Sequence, residues 1–488
     1  NVSLEKKISG TSVRLSGLSE YRDRYESDYF SFDTREYENP DDIVFRTPQN
    51  EGINSNQAKD IQSFMLTVNN DPTEYLTYDI GYFHEESEVQ KIFLDLRDIP
   101  FSTSISNSDV INAKVTYGDL STRLSYQVGK QETNGLSDFQ YDVKIGQANI
   151  EYEYRLPQWI IRPGVHINNI VYDGSFIGGE GNLVEKNYLL RSEYFPSSEW
   201  RIIAALSYDD YNIPSEDHIS YQFMTTYQPR YDVLFRGGIQ TANSSATMVS
   251  QYIDLSFMFL DVPGQPKQQI DVTGDQEGKL SKVRSLELGM RYQLDTNQLF
   301  DVELFHSELK DLTVQANKGT VLVDNTYITT LELETLPSIA QQSGMTVDWK
   351  LENTQWDLSA YLTWQQTHVI DQVADSSFPF VTSNQPSRST PEVYGGVTLD
   401  WKIARNMNFN VQSYYLGAHE IHLQQPQGSY QAEASINTNL TLNYRYNKNV
   451  SGFAAIKNLS ASDQTQSFYS DHLEPIYMLG IKLSLSQD

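Results

Sequence analysis

The sequence predicts an all-β protein, a single large antiparallel transmembrane β-barrel of about 20–22 strands with short periplasmic turns and long extracellular loops. Three observations predict it. Hydropathy alternates with a two-residue period along most of the chain. Connections alternate between short and long. Aromatic residues are abundant, with 32 Tyr, 21 Phe and 6 Trp. A two-residue period gives a strand one apolar and one polar face. In a soluble sandwich the apolar face turns inward; in a membrane barrel it meets lipid and the polar face lines the lumen. Tyr and Trp favour the lipid–water boundary, where the ring lies among headgroups and the polar tip stays wet. Aromatics also suit strands of any β protein.

The elements follow in order. After "NVSLEKKISG", Val13 and Leu15 open the first expected strand, so the barrel proper is expected over 10–488. Ala148, Ile150, Tyr152, Tyr154 and Leu156 alternate with Asn149, Glu151, Glu153 and Arg155. Ile219, Tyr221, Phe223 and Tyr227 form the next clear stripe, then Tyr231, Val233, Phe235 and Ile239. Leu286, Leu288, Met290, Tyr292 and Leu294 follow, with Glu287, Arg291 and Gln293 between. Trp356, Leu358, Ala360, Leu362 and Trp364 carry Trp at both ends of the stripe. Val393 to Ile403, Met407 to Tyr415 and Ile436 to Tyr446 repeat the pattern, and Tyr477, Leu479, Ile481, Leu483 and Leu485 close it. The polar parity carries full charges mid-strand, among them Glu151, Arg236, Glu287, Arg291, Glu303 and Asp400.

Short turns fall near 70–75, 118–121, 156–158, 195–199, 228–230, 295–297, 353–355, 404–406 and 447–449. Longer links lie between them, including 87–107, 130–145, 173–186, 370–390, 417–429 and 461–473. Those at 26–58, 243–283 and 314–343 are expected to be long outer or lumen-folded loops. Tyr252–Leu260 and Thr329–Leu336 look strand-like, as hairpin extensions beyond the bilayer would. Greek-key connections in a sandwich give no reason to sort loops this way, whereas a membrane barrel keeps tight turns at one rim and long loops at the other. At about ten residues per span the count comes to about twenty strands, an even number as bacterial barrels prefer.

Composition narrows the function classes. No apolar run reaches the about 18 residues of a membrane helix. The net charge of −28, from 36 Lys+Arg against 64 Asp+Glu, argues against nucleic acid as a partner. Absence of cysteine excludes disulfides and thiolate metal sites and fits an envelope location. No signal-like segment opens the chain, so Asn1 is expected at or after a cleavage site. No catalytic, cofactor-binding or metal-binding residues are expected, and the protein is not expected to be an enzyme. None of the eight His is spaced for a metal, and "HEIH" (419–422) lacks the helical HExxH geometry. "DVTGDQEG" (271–278) lacks the twelfth-position Glu and the flanking helices of a calcium loop. "FHEESE" (83–88) reads as a solvated loop mouth, and no nucleophile elbow or phosphate-cradling Gly loop occurs.

From "SLELGMRYQLDTNQLFDVELFHSELKDL" (285–312) through "GMTVDWKLENTQWDLSAYLTW" (344–364) and "IKNLS" (456–460), the chain resembles the barrel end of TonB-dependent outer-membrane receptors. Gly480, Leu483 and Leu485 stand at the offsets of the assembly signal that the resemblance implies is read by the barrel-insertion machinery. Three features depart from that family, the first being Met478 in place of the usual polar signal residue. Ser486-Gln487-Asp488 replaces a terminal aromatic, and no plug domain is recognisable ahead of the first strand. The first 280 residues match in style only.

The resemblance implies a bacterial outer-membrane location, with outer-membrane lipid and lipopolysaccharide, the insertion machinery and other envelope proteins as partners. Without a plug, an empty cylinder of this size would leak. The leading expectation is a conduit or anchor for a polymer or polypeptide, its lumen closed by partner proteins or by its own loops. The alternatives are a TonB-dependent nutrient-uptake receptor whose plug is missing from this chain, and a soluble all-β binding protein.

Overall fold

The computed structural model describes residues 2–8, 10–24, 29–31, 36–39, 41–42, 54, 56–92, 101–134, 140–244, 247–260, 266–370, 385–422, 429–460 and 475–484. Within them the chain is almost entirely strand, with one short helix, Met248–Tyr252. No helix is long and apolar enough to cross a membrane.

One sheet of 25 strands dominates. Two of these are the short pieces Tyr154–Arg155 and Gln385–Pro386, and two form the hairpin Asp254–Leu260/Lys267–Thr273, which lies off the wall. The 21 that remain form the wall, each antiparallel to the next in the chain, from Val2–Ile8 to Ile476–Leu483. Val2–Ile8, expected as a lead-in, is a wall strand paired with residues 11–17. Among the described residues the wall count is thus odd and falls within the expected range of about 20–22. Both edge strands run from the long-loop rim to the short-turn rim, and no pairing joins them among the described residues.

Register fixes the faces. Leu15, Leu66, Tyr82, Ile111 and Tyr126 are successive cross-strand partners in one row. One residue along, the row reads Arg14, Thr67, Gly81, Asn112, Ser125, Gln147, Asn168 and Glu185. Farther round the wall, Leu288, Leu304, Met345, Trp364 and Val393 continue the apolar face. Most of these apolar side chains are exposed, with Leu288 at 53% and Ile111 at 55%, and none is buried. Among the described residues no second sheet covers them, as a soluble sandwich would require. They are the lipid-facing surface. Near the short turns the same face carries aromatics: Trp159 stacks on Tyr194 and Trp200 on Tyr227, each with ring centroids 4.3 Å apart. Such a belt belongs at headgroup depth.

Several expected links are strand instead. The stretch 314–343 lies within the long hairpin Gln298–Val323/Thr326–Glu352, which continues past the bilayer. Its turn residues Asp324 and Asn325 have φ of 45° and 64°, the left-handed pair of a tight two-residue turn. The link at 173–186 shrinks to 175–178. "FHEESE" lies inside the strand Leu76–Ile92 rather than in a loop. Its charges are alternating strand positions, so high polarity there does not mark a loop. Most of 26–58 lies outside the described residues, apart from short strands at Tyr29–Ser31 and Glu36–Glu38 and the start of Gln57–Thr73.

Candidate functional site: the lumen and its outer mouth

The inner face carries two networks of charge near the short-turn rim. In the first, Glu193 is 3% exposed and accepts from Arg162 Nη1 at 2.5 Å and from Arg201 Nη2 at 2.5 Å. Arg191 lies 3.1 Å from the same carboxylate. Arg162 Nε also donates to Glu153 at 2.6 Å, and Arg155 pairs with Glu153 from the other side. In the second, Arg236 donates two bonds to Asp301, at 3.0 and 2.7 Å, and one to Glu303 at 2.7 Å. Arg291 Nε adds 2.8 Å to Asp301. The Arg236 guanidinium lies over Gly289, where a Cβ would stand 2.5 Å from Arg236 Cζ. A side chain there would require the Arg236 guanidinium to shift from its bonds to Asp301 and Glu303.

Pairing of this kind is what a charge needs when walls exclude much of the water, since an uncompensated one is costly. It also changes the electrostatic expectation. Many carboxylates on this part of the inner face are neutralised by arginine, so the −28 net charge does not translate into a uniformly acidic lumen.

At the long-loop rim the inner face turns apolar. Ile170, Tyr172 and Leu183 stand on the polar parity of their strands, opposite Ile145, Val143 and Ile170 respectively. With Phe176, Ile177, Tyr211 and Leu280 they form the one hydrophobic cluster built around buried residues among those described. Tyr252 and Leu255 pack on it. The backbone follows: Asp254 N donates to Phe176 O at 2.8 Å, and Tyr252 Oη to Asn182 O at 3.1 Å. On its other side the same segment is tied to the long hairpin. Lys267–Thr273 pairs in parallel with residues 326–332, Thr335 Oγ1 donates to Lys279 O at 3.1 Å, and Ser281 Oγ to Asp311 O at 2.6 Å. The described part of 243–283 thus bridges the inner wall and the hairpin extension, covering part of the outer mouth.

The motifs noted in the sequence do not converge. "HEIH" forms a strand paired with Ser429–Ala432 off the wall, where His419 Nδ1 lies 3.2 Å from Gly417 O. In "DVTGDQEG", Asp275 Oδ1 accepts Glu277 N at 3.0 Å, which commits that oxygen to a local turn. His84 and Glu86 of "FHEESE" face outward, and His84 Nδ1 lies 2.9 Å from Asp109. No group of three or more His, Asp or Glu among the described residues is placed to hold a metal ion. The inward apolar cluster was the missed feature. Its signal is present in the sequence as apolar residues out of phase with the lipid stripe.

A family model described as TonB dependent receptor-like, beta-barrel matches residues 8–459, which extends the likeness well beyond the C-terminal portion. No curated protein matches. Among solved structures, the FrpB iron transporter from Neisseria meningitidis superposes with a TM-score of 0.74 at 10% identity, over 99% of this chain and 79% of that one. The siderophore receptor PirA from Acinetobacter baumannii gives 0.72 at 12%, over 99% and 76%. A ferric enterobactin receptor (PfeA) mutant from Pseudomonas aeruginosa gives 0.69 at 13%, over 94% and 72%. At these identities the structures establish the shared barrel fold. The family match, the exposed apolar stripes and the charged inner face together make this chain an outer-membrane β-barrel that belongs to the TonB-dependent receptor-like β-barrel family.

Proposed function

We propose that this barrel is the wall of an uptake receptor, which takes a small ligand at its outer mouth and passes it through the lumen with the help of envelope partners. The observation that carries the reading is the inward-packed cover formed by residues 247–260 and 266–281, whose Leu280, Tyr252 and Leu255 pack on Phe176, Ile177 and Leu183 on one side and which pairs with residues 326–332 on the other. A partly covered mouth suits a ligand of limited size. The solved relatives in fold are receptors for siderophores or transporters of iron, and an iron chelate is the ligand class we carry over. Passage or anchoring of a polymer has no observation of its own in its favour.

The test is growth of an iron-starved host strain whose other chelate receptors are deleted and which expresses this protein in its full coding context. Rescue by one class among catecholate, hydroxamate and carboxylate ferric chelates is expected, with loss of rescue when the energising system of the inner membrane is removed. Failure of every chelate, together with steady open-pore conductance, would favour the conduit.

A further inference from the structure

We propose that Lys282, Arg284 and Lys310 form a binding site on the outer wall for the phosphorylated headgroup of an outer-leaflet lipid. All three share the face of Leu286 and Leu288, because Leu286 pairs with His306 and Leu288 with Leu304 in the same register that pairs Lys282 with Lys310 and Arg284 with Glu308. They therefore point away from the lumen.

Their height places them among headgroups. Lys282 lies at the long-loop end of its strand and Tyr292 near the short-turn end. The ten residue steps from one to the other span about 34 Å, or about 26 Å of height at a tilt near 40°. The apolar band of such barrels is about 25 Å tall. Their charge is unbalanced. Lys282 and Lys310 are directly opposed, the one pair of cations facing each other across strands on the outer face of the described residues. Like charges so placed repel. Glu308, 3.0 Å from Lys310 and directly opposite Arg284, is one carboxylate set against two of the three cations, and Lys282 has no ion-pair partner among the described residues. At two other places toward this rim a cation is already matched: Lys186 by Asp210 at 3.2 Å, and Lys130 by Glu132. A phosphate seated between the lysines would relieve the repulsion, Arg284 would supply a second, forked contact, and the acyl chains would continue onto the apolar stripe below. The site is independent of what crosses the lumen.

The test uses native mass spectrometry of the detergent-purified protein with lipid A and with its dephosphorylated form. The wild type is expected to retain lipid A at least ten-fold more tightly than the Lys282→Gln/Arg284→Gln/Lys310→Gln variant, and to discriminate against the dephosphorylated lipid. Lys186→Gln, whose cation already has a partner, is expected to bind as wild type does. Lys282→Gln alone relieves the like-charge pair. It is expected to raise thermal stability in lipid-free detergent while weakening lipid A binding, which keeps the test decisive if the triple variant does not fold. Equal binding by wild type and variants would overturn the site. So would equal binding of the dephosphorylated lipid, or full displacement of lipid A by inorganic phosphate, which would mark a site for a free anion only.

Discussion

Arg236 and Asp301 set the residue scale. Asp301 has 11% of its side chain exposed and is held by two arginines, so truncating one leaves an ion that water only partly reaches. Removing one partner of a buried pair costs about 3–5 kcal/mol; the lumen is partly wet, and Arg236→Ala is expected near the lower end. Arg236→Lys should recover only part, because a lysine cannot reproduce the two parallel bonds to Asp301. Urea unfolding in lipid vesicles measures both. Gly289→Ala is expected to lower stability as well, since its methyl meets the Arg236 guanidinium, and to do so much less in an Arg236→Ala background. Equal losses in the two backgrounds would show that the guanidinium is not what the glycine accommodates.

Among the elements, the long hairpin and the cover it holds are most informative. Residues 326–332 pair with Lys267–Thr273, so the extension beyond the bilayer is part of the mouth rather than a free tip. Deleting 316–332 and rejoining the strands with a tight turn is expected to leave the barrel folded, with heat-modifiable gel mobility intact. It should also make the segment 254–273 cleavable by protease on whole cells. Continued protection there would mean that the inner-wall cluster alone holds the cover. Sequence reading treated 314–343 as a long link because a membrane span needs only about ten residues, although it read Thr329–Leu336 within it as a strand-like hairpin extension, as the structure shows. Nothing in a span-length criterion predicts that Gln298–Val323 continues for 26 residues. The Asp324-Asn325 turn, flanked by the β-branched runs "TVLV" and "TYITT", was the available signal. The wall strands themselves were legible because lipid on one side and a polar lumen on the other enforce strict alternation. The mouth was not, because Ile170, Tyr172 and Leu183 break that alternation for a local reason, packing against Phe176 and Leu280.

For the whole molecule, the account reduces to an inverted arrangement of polarity. Leucines such as Leu190, Leu206 and Leu362 are about half exposed, while Glu193 and Asp301 are nearly covered. Near the edges the exposure is greater still, 89% at Leu479 and 79% at Ile481, where no further strand pairs among the described residues. In water such a surface would aggregate; in a bilayer it is the solvated one. The absence of cysteine makes a direct test clean. Single cysteines introduced at each position from Val283 to Tyr292, spin-labelled and reconstituted into lipid, report collisions with oxygen, which concentrates in the acyl region, and with a water-soluble nickel chelate. Positions 286, 288 and 290 are expected to favour oxygen and 285, 287 and 289 the chelate, in strict alternation. The same polarity at all six positions, or the opposite phase, would contradict a wall with lipid outside and a charged lumen within.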